Sequence, residues 1–185
     1  MIQLRDLRDD DVDRLYRWRR EPAVDRWMFS GPPLEFEAHQ RWFEQFRADE
    51  HRHGWVIERK DEPCGVMFLT KISNVHQHGQ WGWYIGEASA RGRGVGRAAQ
   101  ALGLDRVFSD FALQKVWSEV IADNDPALKA LAATGFRREG YIRRHMFKGG
   151  QFHDVVLFGI LAEEWQERRK SVMKDLQASG LVRPA

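Results

Sequence analysis

The heptapeptide Arg91-Gly92-Arg93-Gly94-Val95-Gly96-Arg97 carries the residue types needed to grip a diphosphate. Its glycines let main-chain amides approach an anion without interference from a Cβ. The run Ala98 to Phe108 behind it reads as a helix, so the loop opens onto a helix N-terminus. There the first N–H groups have no internal partner and the helix dipole is positive. Three arginines add donors shaped for phosphate oxygens. Trp81-Gly82-Trp83-Tyr84-Ile85-Gly86, just upstream, reads as a strand. Two common phosphate loops do not fit. A triphosphate loop needs Lys and then Ser or Thr after its last glycine, whereas Gly96 is followed by Arg97-Ala98. A dinucleotide loop needs Gly-x-Gly-x-x-Gly at the first strand of a βαβ unit. Gly92-x-Gly94-x-Gly96 has another spacing and lies mid-chain. What remains is Arg-x-x-Gly-x-Gly at Arg91, Gly94 and Gly96, or else a tight strand-to-helix turn with no ligand.

A second segment separates these two readings. Asn124-Asp125-Pro126 opens and Gly135-Phe136 closes a helical run, with Asn124 or Asp125 as cap, Pro126 in the first turn and Gly135 as a left-handed stop. Lys115 to Ile121, before it, alternates as a strand. Both segments, in this order, resemble the GNAT-type N-acetyltransferases: the first their coenzyme A pyrophosphate loop, the second their Asn-led helix. The resemblance implies a single-domain α/β fold. Its sheet is mixed, mostly antiparallel, with about six or seven strands flanked by helices. It also implies acetyl-coenzyme A as cofactor. The pantetheine arm would lie along Trp83, Tyr84 and Ile85 as an added strand, one of whose amides would polarise the acetyl carbonyl. The diphosphate would sit on the loop Arg91, Gly92, Arg93, Gly94, Val95, Gly96 and Arg97, with Asn124 and Lys129 contacting the cofactor from the neighbouring side. A neutral amine then attacks the thioester directly, so no protein nucleophile is needed.

One position departs from the family. Members often carry a tyrosine seven residues after the asparagine, where it protonates the departing thiolate, and here that residue is Leu131. Tyr16, Tyr84 and Tyr141 are the only phenols, and Tyr84 is the catalytic candidate among them. His39 and Glu87 are the candidates for holding a water that takes the amine's proton. For the acceptor, Arg26-Trp27-Met28-Phe29-Ser30 followed by His39 and Trp42 resembles a subgroup of the family, the UDP-4-amino-sugar N-acetyltransferases of pseudaminic acid biosynthesis, which serve flagellin glycosylation. That resemblance implies a small nucleotide-sugar acceptor bound by Arg26, Trp27, Met28, Ser30, His39 and Trp42. Protein amino termini and polyamines are the alternative acceptors, and a non-catalytic acetyl-coenzyme A sensor is an alternative of another class.

The elements that must position these groups follow from periodicity. Ile2 to Arg5 alternates as a strand, and Asp9 opens a helix that Glu21-Pro22 should end. Trp27 to Pro33 is a loop, and Leu34 to Ala48 is helical with Phe36, His39, Trp42, Phe43 and Phe46 as a stripe. Trp55 to Ile57 and Gly65 to Ile72 are strands around a turn at Asp61-Glu62-Pro63. Phe136 to Phe147 and Phe152 to Ile160 form a hairpin across Gly149-Gly150. The acetyltransferase domain is expected over 1–162, with 163–185 as a terminal helix outside the family core and Arg183-Pro184-Ala185 as a frayed end. At 185 residues and 43% hydrophobic, the chain suits one core. A net charge of +2, without a basic block, argues against nucleic acid. No apolar run nears the roughly 20 residues of a membrane span, no Cys/His cluster has metal spacing, and the single Cys64 suits a reducing cytoplasm. The family also admits a homodimer.

Overall fold

The structure is a computed structural model that describes residues 1–183. In chain order it contains β1 (Ile2–Asp6), α1 (Val12–Arg20), α2 (Pro22–Asp25), α3 (Phe36–Ala48), β2 (His53–Arg59), β3 (Glu62–Ser73), β4 (His78–Ile85), α4 (Val95–Asp110), β5 (Lys115–Ile121), α5 (Asp125–Thr134), β6 (Arg137–Lys148), β7 (Gln151–Leu161) and α6 (Ala162–Ala178). All seven strands join one sheet in the order β1-β2-β3-β4-β5-β7-β6. Only β4 and β5 run parallel; the other pairs are antiparallel. This is the mixed, mostly antiparallel α/β sheet of seven strands that the resemblance implied.

Side-chain alternation along β4 sorts the core into two layers. Trp81, with Trp83 and Ile85 packed behind it, faces the main cluster under α4. Tyr84 faces the opposite cluster, where Leu15 and Trp18 of α1 and Phe43 and Phe46 of α3 cover Val56 and Val66. α4 can lie close to the sheet because Gly103 has no side chain. A Cβ there would come within 2.6 Å of both Met67 and Trp81. The terminal helix α6 is no bystander: Trp165, Val172 and Leu176 are buried in the same main cluster. Asp105 of α4 clamps it, accepting bonds from Trp165 Nε1 (2.9 Å) and from Arg169 Nε and Nη2 (2.6 and 2.8 Å).

Local rules explain most boundaries and a few differences from expectation. Glu21-Pro22 ends α1 but also starts α2, because proline suits the first position of a helix, where its missing N–H is harmless. The β2–β3 turn sits at Lys60 and Asp61, both left-handed (φ 54° and 64°), so Pro63 falls inside β3. His53 and His78 begin β2 and β4. Of the expected frayed end, Arg183 is tied by its carbonyl to Gln177 Nε2 (3.2 Å), while Pro184 and Ala185 lie outside the described residues. Among the described residues, no helix is long and apolar enough to cross a membrane, and no group of three or more His, Cys, Asp or Glu is placed to hold a metal ion.

Candidate active site

The sheet is split at its centre. β4 and β5 pair only over His78↔Lys115, Gly79↔Val116 and Gln80↔Trp117. Beyond that point β4 stays bonded to β3 as far as Ile85, and β5 stays bonded to β7 as far as Ile121, but the two carry no ladder between them. Two side-chain bonds sew the vertex. Ser118 Oγ donates to the Trp81 carbonyl (2.9 Å), and Gln80 Nε2 donates to Glu119 Oε2 (2.8 Å). The opening beyond them is a cleft of about 1150 Å³. One wall is the edge of β4 from Gly82 to Ile85, unpaired by β5, whose outward main-chain groups other than the Ile85 carbonyl can meet an extended ligand.

The glycine loop forms the end of this cleft. Gly92 and Gly94 are left-handed (φ 70° and 76°), and Gly94 is the cap of α4. The first helical bond runs from the Ala98 amide to the Gly94 carbonyl (3.0 Å), so the amides of Val95, Gly96 and Arg97 remain unbonded within the helix. Gly92, Gly94, Val95, Gly96 and Arg97 all line the cleft, as do Trp83, Tyr84, Ile85, Asn124 and Lys129. Arg93 does not; its Nε donates to the Ser89 carbonyl (2.8 Å). Arg91 lines the cleft, yet its guanidinium is engaged by main chain: Nε donates to the Ile85 carbonyl (2.9 Å) and Nη2 to the Gly86 carbonyl (2.6 Å). It folds the turn rather than offering a free donor. Opposite, the Asn124 side chain accepts from the Ala127 amide (3.3 Å) and caps α5, which Gly135 ends at φ 115°.

The other half of the cleft is aromatic. Trp27, Met28 and Phe29 from the loop after α2, and Trp42 and Phe46 from α3, meet Phe68 and Tyr84 from the sheet. Trp42, Phe46, Phe68 and Tyr84 form a connected series with ring centroids 5.2 to 6.3 Å apart. Tyr84 is the only tyrosine that lines the cleft. Its hydroxyl is buried with no hydrogen-bond partner among the described residues, and burial pushes the phenol well above its ordinary pKa. Tyr16 donates to the Leu34 carbonyl (3.0 Å), and Tyr141 donates to Asp154 (2.5 Å). Leu131 is fully buried and faces the main core.

Several expected site residues stand elsewhere. His39 lies between α1 and α3, stacked on Trp42 (5.1 Å) and tilted against Tyr16 (5.4 Å), and does not line the cleft. Burial lowers its pKa, against the pull of the Val12 carbonyl and with help from the Arg19 charge, so the imidazole stays neutral. Glu87 is also outside. One of its oxygens accepts from Trp18 Nε1 (2.8 Å) and Arg17 Nη2 (2.9 Å), tying α1 to the sheet. Arg26 stacks its guanidinium over its own neighbour Trp27 (4.4 Å), and Ser30 accepts from Arg19 through Oγ (3.1 Å). Trp27, Met28 and Trp42 do reach the cleft.

Arg19 was not marked by sequence. It lines the cleft with Nη1 buried and without a hydrogen bond, 3.7 Å from Asp25 Oδ1. The available signal was helical spacing: Arg19 stands four residues after the buried Leu15 and so shares its face. Cys64 is buried, and burial raises its thiol to about 11, so it holds no reactive thiolate.

A half-split sheet with a glycine-capped helix at one end can take an extended ligand with an anionic group, and comparison with known proteins shows the family. Residues 2–137 match the model of the acetyltransferase (GNAT) domain. The chain is 23% identical over 170 residues to the spermidine N(1)-acetyltransferase of Escherichia coli (strain K12), covering 92% of this chain and 91% of that protein. It is 25% identical over 173 residues to the putative ribosomal N-acetyltransferase YdaF of Bacillus subtilis, covering 89% and 93%. The spermidine N-acetyltransferase from Vibrio cholerae, solved in complex with CoA and spermine, shares the fold with a TM-score of 0.84 at 22% identity, over 89% of this chain and 98% of that one. The chain therefore belongs to the GNAT acetyltransferase family; it is an N-acetyltransferase that uses acetyl-coenzyme A.

Proposed function

We propose that the protein acetylates a primary amine carried on an anionic or stacking body, with the 4-amino group of a UDP-linked dideoxy sugar as the preferred form. The observation behind this reading is the balance of the cleft lining. Glu119, bonded to Gln80, is its one carboxylate; of its cations, Arg19, Arg52 and Arg97 stand against Asp25, Asp49 and Asp175 and Arg91 bonds main chain, which leaves Lys71 and Lys129 to set the sign of the lining. A polycation entering such a chamber meets like charge in a partly desolvated space, which costs more than it would in water. A uracil or a deoxysugar finds ring faces at Trp27 and Trp42, and a diphosphate finds Arg19. The second reading, polyamine acetylation, is favoured by the spermidine acetyltransferases among the relatives.

Acetyl-coenzyme A supplies the thioester acyl group. In this reading Val95, Gly96 and Arg97 hold its diphosphate through their amides, the β4 edge from Trp83 to Ile85 holds its amides, and Asn124 and Lys129 flank it. Orientation on rigid strand and helix ends does most of the work. Tyr84 Oη, kept protonated by burial, holds a proton where Leu131 offers none. Removing that single donor in Tyr84→Phe should lower kcat about tenfold, near 1.4 kcal/mol of barrier, with coenzyme affinity unchanged. Single-turnover rates check this, and an unaltered rate would remove Tyr84 from the proton path.

The acceptor is tested by following thiol release with a UDP-4-amino-4,6-dideoxy sugar, an N-terminal ribosomal peptide and spermidine side by side. The sugar nucleotide should have the highest kcat/KM. A preference for spermidine of tenfold or more would replace the first reading with the second.

A further inference from the structure

The strongest unassigned feature is Lys148, the last residue of β6, far in sequence from everything its ammonium touches. Its Nζ lies 2.6 Å from the Asp25 carbonyl, 2.8 Å from the Met28 carbonyl, 3.3 Å from Asp25 Oδ1 and 3.5 Å from the Ser30 carbonyl. An ammonium has three protons. Two serve the short bonds to main chain, and the third is shared between the two longer contacts. The side chain is largely buried, 19% exposed, as is that of Asp25 at 21%.

The segment so gathered spans the split in the sheet. Val24 packs with Tyr84 and Val66 on the β4 side. Three residues later, Trp27 packs against Ile121, Met146 and Val155, on β5, β6 and β7. The stretch 24–27 therefore links one arm of the fork to the other, and Trp27, Met28 and Phe29 line the cleft. Arg19 pins the same segment further on, donating from Nη2 to the carbonyls of Ser30 (3.3 Å) and Gly31 (3.0 Å). Local main-chain bonds turn the chain only as far as Met28, whose amide donates to the Asp25 carbonyl (2.9 Å); beyond Asp25 residues 26–31 hold no helix or strand.

We infer that Lys148 is a positioning residue for acceptor selection: its ammonium latches residues 25–30 across the mouth of the fork and so sets the shape of the amine-binding chamber without touching the acyl donor. This rests on the proposed assignment of the aromatic half of the cleft to the acceptor. A flexible stem ending in a compact, three-proton charge suits a set of carbonyls pointing at one centre. The planar fork of arginine does not.

The test compares Lys148→Met and Lys148→Arg with the parent protein by three readouts. Hydrogen exchange of the amides of residues 25–31 should accelerate about tenfold or more in Lys148→Met, the change expected from losing a few charge-assisted bonds. KM for the UDP-4-amino-4,6-dideoxy sugar, or for spermidine if that is the amine that turns over, should rise about tenfold while kcat changes less than twofold. Affinity for coenzyme A by calorimetry should stay within twofold. Lys148→Arg should fall between the two on the first pair of readouts. Unchanged exchange in residues 25–31 would overturn the latch, and so would equal losses of acceptor and coenzyme affinity. If no offered amine turns over in the parent protein, the acceptor assignment fails, yet the exchange and coenzyme measurements still decide the latch.

Discussion

Gly94→Val should bind coenzyme A about a hundredfold more weakly while remaining folded. Gly94 holds φ 76° as the cap of α4, and a β-branched residue in that left-handed region costs roughly 1–3 kcal/mol. A Cβ there would also stand 2.8 Å from Leu181 Cδ1, the end of a flexible side chain that can give way, so relief of the left-handed strain rather than this contact shifts the turn. The shift moves the amides of Val95, Gly96 and Arg97, the donors that need no side chain to hold an anion. About 2.7 kcal/mol of lost affinity corresponds to a hundredfold in Kd. Calorimetry with coenzyme A measures it directly, and urea unfolding of the free protein separates affinity from stability. Retained affinity in a folded Gly94→Val protein would mean that the diphosphate sits elsewhere.

The largest effect on stability should come from Asp11→Ala, at about 3–5 kcal/mol. Asp11 is fully buried at the β1–α1 junction. Its carboxylate accepts from Arg5 Nη1 and Nη2 (2.7 and 2.8 Å), Arg14 Nη1 (2.6 Å) and the Arg8 amide (2.8 Å). Burial alone would raise its pKa. The Arg5 bonds, the Arg8 amide and the charges of Arg5 and Arg14 outweigh that and hold it below the ordinary carboxylate value. A carboxylate whose folded pKa is depressed contributes stability in full above its unfolded pKa, near 3.9, and loses it as the pH falls through the folded value. Acid unfolding should therefore steepen below about pH 4 in the parent, and Asp11→Ala should flatten that limb while lowering the denaturant midpoint at pH 7. An unfolding free energy at pH 7 within about 1 kcal/mol of the parent would show that the junction is held by packing alone.

How far the sequence could be read depended on whether a residue's job is local. Gly94, Gly96, Asn124 and Gly135 act on their own neighbours, through a left-handed turn, a close approach or a cap. Their types and spacing therefore revealed the loop and both helices. Arg91 was found for its position but not its task, because nothing in the sequence says that the carbonyls of Ile85 and Gly86 will turn toward it. His39 and Glu87 have the right chemistry for proton transfer, but tertiary packing spends them on the α1 interface. Arg19 and Lys148 are the reverse case. Each is one cation among 29, and only contacts between distant segments, 25–30 with 148 above all, give them meaning. The glycine-loop end of the cleft was therefore legible, and of the aromatic end only Trp27, Met28 and Trp42 were.

The short seam between β4 and β5 has a mechanical corollary. Three paired residues and the Ser118 stitch make a narrow spine between two stiff plates, one built on β1 to β4 and the other on β5 to β7. The plates are not independent, because one core cluster runs under both: Trp55, Met67 and Trp81 share it with Val116, Val156 and Ile160, and α6 adds Trp165 and Leu176. Close packing transmits displacement, so a change in volume under α6 is felt by both walls of the opening.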